Sequence, residues 1–74
     1  MTSLIPSSGT IGERIRETRK AAGLSAAALA RRAGVSEPAI WNWERQGRQP
    51  HPGTLAKVAE ALGVTESLLA NRTA

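Results

Sequence analysis

Residues 24–44 read LSAAALARRAGVSEPAIWNWE, and the punctuation of this stretch decides the fold. Ser25 stands before AAALARRA, a run dominated by the best helix former, and Gly34 stops that run. Ser36 stands before EPAIWNWERQ, with Pro38 in the first turn, where its missing amide would have no partner inside the helix anyway. A helix, a three-residue turn of Gly34, Val35 and Ser36, and a second helix make helix-turn-helix spacing.

On the N-terminal side, Thr10 and Glu13 form a capping-box pair, and Ile11, Ile15, Thr18, Arg19 and Ala22 share one face before Gly23 ends the helix. On the C-terminal side, Gly47 ends the second helix of the motif and RQPHPG forms a proline-bearing loop. Pro52 then opens a helix with Leu55, Val58, Ala59 and Leu62 at core spacing before Gly63, and Thr65 caps a last short helix holding Leu68 and Leu69. No stretch alternates for long enough to suggest a strand, so the chain reads as all-α, a compact bundle of five helices. The core is expected to comprise Ile15, Leu24, Leu29, Val35, Ile40, Trp43, Leu55, Val58 and Leu62. Residues 1–9, without charge or period, read as a flexible tail, and residues 10–72 as the folded domain.

Seventy-four residues allow one domain, and one of this size buries only about 60% of its unfolded surface, so its stability margin is thin. With no cysteine, neither disulfides nor thiolate metal sites can reinforce it. Ten Lys and Arg against six Glu, with no Asp, give a net charge of +4, which favours an anionic partner. No apolar run approaches a membrane span, and the start lacks the features of a signal peptide, so the expected location is cytoplasmic. Catalysis is not expected. There is no Cys, Asp or Tyr, and the lone His51, between two prolines, reads as a loop residue or helix cap; no metal or cofactor is implied.

In the second helix of the motif, about residues 36–46, Ile40, Trp43 and Glu44 share a face with Ser36 and Glu37, while Pro38, Asn42 and Arg45 lie nearly opposite. Only one tryptophan can then be core. Trp43 is that residue, and Trp41, about 160° away, must be partly exposed. Three readings of Trp41 remain open: packing beneath a loop, contact with a DNA sugar or thymine methyl, or a protein interface. Arg19 and Glu44 each fall on the apolar face of their own helix, where an isolated charge is costly, so they are expected to pair rather than stand apart.

The stretch from RIRETRKAAGLS through the motif to RQPHPGTLAKVAEALGV resembles the phage-repressor or Cro-type helix-turn-helix family, in one register over residues 11–69. The resemblance implies the five-helix lambda-repressor-like fold, a second helix lying across the phosphate backbone, a third reading bases, binding as a homodimer, and the Arg19–Glu44 bridge. Candidate base contacts are Glu37, Pro38, Ala39, Trp41 and Asn42, the last through the amide pairing that adenine favours, with a solvated or phosphate-bonded amide as the other reading. Glu37 reads equally as a first-turn carboxylate on the helix dipole. Candidate phosphate contacts are Ser25, Ala26, Arg45 and Arg48, with Ala26 standing where the family often has Gln and so offering only its backbone amide. Arg14, Arg16, Lys20, Arg31 and Arg32 read as solvated.

Two departures mark this chain. Thr18 stands where the family commonly has leucine, which suggests a looser core, and Gln46 where it commonly has the glycine that ends helix 3, a role left to Gly47. The expected function is sequence-specific binding of double-stranded DNA in transcriptional regulation. The competing reading is a protein-interaction module, such as an antitoxin whose main partner is a toxin, with Leu68, Leu69 and Trp41 supplying an apolar surface. The two differ in salt-dependent binding to duplex DNA.

Overall fold

A hydroxyl side chain takes up an otherwise orphaned amide at the start of each of the first three helices. Thr10 Oγ1 accepts from the Glu13 amide at 3.1 Å while Glu13 Oε1 accepts from the Thr10 amide at 3.3 Å. Ser25 Oγ accepts from Ala28 N at 3.0 Å, and Ser36 Oγ from Ala39 N at 3.2 Å. Each such cap contributes about 1 kcal/mol, a large increment for so small a domain. The resulting elements, in a computed structural model that describes residues 10–70, are α1 (Ile11–Ala21), α2 (Ala26–Ala33), α3 (Glu37–Gln46), α4 (Pro52–Leu62) and α5 (Glu66–Ala70). No strand occurs among the described residues. The expectations for residues 1–9 and for 71–72 lie outside them. Helix α4 starts differently, with His51 at the N-cap making no side-chain bond and Pro52 setting the first turn.

The helices contact one another in a closed ring, α1 to α3 to α2 to α4 to α5 and back to α1. Each sends one fully buried side chain to the centre: Ile15, Leu29, Ile40, Val58 and Leu69. Burying such a side chain stabilises the fold by about 1.5–3 kcal/mol, so the five together account for much of what holds the ring closed. Trp43 and Leu55 complete the expected core. Small residues fill the rest. Ala26, Ala30 and Ala33 of α2, with Ala59 of α4, are buried, and their methyl-sized side chains let those helices lie close together.

Three residues expected in the core lie at its edge, Val35 and Leu62 still packed against the buried cluster. Leu24, Val35 and Leu62 are only half-buried, because all three sit at helix ends, where the chain leaves the packed interior to turn. Leu69, which the protein-interaction reading would place at a surface, is fully buried, and its neighbour Leu68 is exposed. Arg14, expected to be solvated, is half-buried and donates from Nη1 to the Leu68 carbonyl at 3.4 Å, tying α1 to α5. Thr18 is half-buried, so the position where a leucine would add apolar contact lies at the edge of the core.

Candidate nucleic-acid interface

The placement of α3 is set from behind by α1. At Gly12 the two helices meet backbone to backbone: a Cβ built there would overlap the carbonyl oxygen of Trp43 and stand 2.5 Å from its carbonyl carbon and 3.1 Å from Glu44 Cα. No other residue type fits. Two turns further along α1, Arg19 closes on the same stretch of α3, donating from Nε to Glu44 Oε2 and from Nη2 to Glu44 Oε1, both at 2.9 Å. A third donor, Nη1, reaches the Leu24 carbonyl at 3.0 Å. The Arg19 and Glu44 side chains are 9% and 1% exposed, so this fork-on-fork pair is removed from water and can hold its partners in one geometry. The hydrogen bonds that Arg19 donates to Glu44, opposed by burial and aided by the carboxylate's charge, hold the Arg19 guanidinium above its ordinary pKa.

The turn of the motif depends on Gly34, whose φ of 74° and ψ of 32° lie in the left-handed region that favours glycine. Its amide closes on Ala30 O at 2.9 Å, and Val35 follows onto the same carbonyl at 3.0 Å. At the far end of α3 the exit is one residue wider: the Gly47 and Arg48 amides both return to the Asn42 carbonyl, the latter at 3.3 Å. Gly47 adopts φ 73° there, taking the terminating role that Gln46 could not fill without strain. This exit fixes the backbone of Arg48 beside the last turn of α3.

On the outer surface of α3, Pro38 and Arg45 are exposed and Asn42 is half-buried, its carboxamide making no hydrogen bond to another described residue. Glu37 is half-buried in the first turn. Ala39 and Trp41 are half-buried and lean against the edge of the core, which leaves them less accessible than Pro38. The guanidinium carbon of Arg45 lies over the Trp41 ring, 4.5 Å from its centroid. At the start of α2, the exposed Ser25 spends its hydroxyl on Ala28, the Ala26 methyl is buried, and the Ala26 amide falls among those with no acceptor inside the helix. Arg48 is exposed, as are Arg31, Arg32, Arg16 and Lys20. The apolar surface suggested for a protein partner is reduced to Leu68, since Leu69 is core and Trp41 is half-buried beneath Arg45. Among the described residues no group of His, Asp and Glu is placed to hold a metal, and no helix is long and apolar enough to cross a membrane.

Two positions escaped the reading of the sequence. Gly12 carried a signal, since a glycine within a helix weakens it by about 1 kcal/mol relative to alanine and calls for a packing reason. The Trp41–Arg45 stack carried another, the four-residue spacing that places side chains one above the other on a helix.

The sequence and the arrangement of the helices are similar to those of known proteins. The helix-turn-helix domain family matches residues 10–71. Repressor protein C2 of Salmonella phage P22 is 42% identical over 52 residues, which is 70% of this chain and 24% of that protein, so the chain spans about a quarter of its length. The chain is also similar to a crystal structure of the P22 c2 repressor in complex with a synthetic operator, with a TM-score of 0.76 and 38% identity over 82% of this chain and 92% of that one. The restriction-modification controller protein C.AhdI from Aeromonas hydrophila gives a TM-score of 0.76 and 34% identity over 80% of this chain and 89% of that one. With the motif at residues 24–44 lying inside a match of this extent, the chain belongs to the helix-turn-helix domain family, of the phage-repressor type.

Proposed function

We propose that this protein is a sequence-specific, non-catalytic DNA-binding regulator of transcription that inserts α3 into the major groove of double-stranded DNA in the cytoplasm. The observation that carries the reading is the two-faced character of α3. One face is locked to the body by Gly12, Arg19, Ile40 and Trp43, while the other presents Pro38, Asn42 and Arg45 outward. A rigidly held helix with a free polar face is what direct readout of base edges requires. The P22 c2 repressor, similar over most of this chain, was crystallised on an operator.

Asn42, whose carboxamide bonds no other described residue, is the reader of adenine; Glu37 accepts from cytosine; Pro38 and Ala39 approach thymine methyls. Ser25 and the Ala26 amide at the start of α2, and Arg45 and Arg48 at the end of α3, hold phosphates. Two copies bind a roughly palindromic site with their third helices about 34 Å apart. The domain's own longest extent is 33 Å, so neighbours at that spacing are close enough to touch. Helix α5 and the loop before it, carrying the exposed Leu68, form the contact between them.

The test is selection of bound sequences from a random duplex pool, followed by affinity across single-base variants of the winner for the wild type and Asn42→Ala. Loss confined to one base position, of about 1–3 kcal/mol, supports base reading by Asn42. Uniform weakening at every position removes that role, and failure to enrich any sequence removes the claim of specificity.

A further inference from the structure

The outward surface of α3 contains one side chain that is held in place before any partner arrives. Arg45 has no hydrogen bond or ion pair to another described residue, yet its guanidinium carbon is fixed 4.5 Å from the centroid of the Trp41 ring. Trp41 is itself restrained, half-buried and packed against the edge of the core. The stack therefore rests on a surface that the fold already orders. A guanidinium lying on an aromatic ring uses its face for the ring and keeps its N–H donors free in its own plane. Those in-plane donors match a pair of phosphate oxygens bidentately. An unrestrained arginine would have to give up side-chain rotamer freedom on binding, and the ring removes part of that loss in advance.

We propose that Trp41 is a positioning residue for DNA binding: it acts through Arg45, presenting the guanidinium edge-on to a backbone phosphate beside the exit of α3. This rests on the DNA-binding reading above and assigns Trp41 a role other than reading a base. Three consequences follow from the geometry. Trp41 matters only while Arg45 is present, an aromatic ring can replace it and an aliphatic side chain cannot, and lysine cannot replace Arg45.

The experiment measures affinity for the selected duplex over a salt series for the wild type, Trp41→Phe, Trp41→Leu, Arg45→Ala, Arg45→Lys and the pair Trp41→Leu/Arg45→Ala, with thermal unfolding of each free protein. Arg45→Ala is expected to weaken binding roughly tenfold and to flatten the plot of log affinity against log salt by about 0.9. Trp41→Leu is expected to weaken binding roughly two- to fivefold in the wild-type background and not at all when added to Arg45→Ala. Trp41→Phe stays within about twofold of the wild type, and Arg45→Lys falls to the level of Trp41→Leu or below. Should Trp41→Leu unfold the domain, the contrast between Trp41→Phe and Arg45→Lys carries the test. An equal loss from Trp41→Leu with and without Arg45, an Arg45→Ala protein with an unchanged salt slope, or an Arg45→Lys protein that binds like the wild type overturns the proposal while leaving the DNA-binding reading standing. A wild type that binds no duplex even at low salt overturns the DNA-binding reading, and this proposal with it.

Discussion

The two faces of α3 differ in kind. The inner face has no freedom: Ile40 is fully buried, Trp43 is 7% exposed, the backbone at Trp43 lies against Gly12, and Glu44 is gripped by both ends of the Arg19 fork. On the outer face Pro38 and Arg45 are exposed, and among the described residues the Asn42 carboxamide has no hydrogen-bond partner and the Arg45 guanidinium lies over the ring of Trp41. The two tryptophans, two residues apart, fall on opposite sides of this divide. Such a division lets stability and recognition be altered separately, because substitutions on one face change how firmly the helix is held and those on the other change what it meets.

The strongest way to break the comparison is at Gly12. Gly12→Ala drives a methyl group into the Trp43 backbone, which cannot yield as a flexible side chain could, so α1 and α3 must separate. The expected loss exceeds about 4 kcal/mol, which leaves about 1 kcal/mol or less of a margin of about 5 kcal/mol, so a urea titration followed by circular dichroism should show the midpoint falling towards zero denaturant. Survival with an unchanged midpoint would mean the helices do not approach as described.

Next comes the ion pair. Arg19→Met strands a carboxylate that is 1% exposed, with an expected loss of about 3–5 kcal/mol, whereas Arg19→Met combined with Glu44→Leu should regain most of it. Equal losses in the single and double variants, read from the same titrations, would show that the pair is held by something other than mutual attraction. Because the folded-state pKa of Arg19 is raised above its unfolded value, the charge's contribution is whole below the unfolded value and fades only as pH rises through the folded one. From neutrality to mildly alkaline pH, stability should therefore show no loss from this group.

The smallest expected effect lies on the outer face. Asn42→Ala should move stability by less than about 0.5 kcal/mol, since its carboxamide bonds no described residue. A larger shift in unfolding temperature would make Asn42 a structural residue and blur the line between the faces.

Most of the fold was legible in the sequence because its helix boundaries are marked by chemistry that acts locally. Thr10 with Glu13, Ser25, Ser36 and Gly34 satisfy or end their helices through groups within a few residues. The Arg19–Glu44 pair, 25 residues apart, was legible for another reason: two charges on two apolar faces need each other. The misses share a cause as well. Gly12 is explained only by a backbone 31 residues away, which no local pattern reveals. In α5, five residues make less than two turns, too few for periodicity to choose between Leu68 and Leu69 as the buried one. Arg14 looked solvated because its acceptor, the Leu68 carbonyl, lies on that same short helix. At the candidate interface the sequence located the helix and its outward residues, while the Trp41–Arg45 stack needed coordinates, since four-residue spacing permits a contact without requiring it.

The most direct test of the central claim is a titration of the folded protein with duplex DNA at a series of salt concentrations. A face that meets phosphates through Arg45, Arg48 and the start of α2 predicts tight association at low salt, with log affinity falling linearly against log salt at about 0.9 per phosphate neutralised. No complex at low ionic strength, or a complex whose affinity is indifferent to salt, would contradict it.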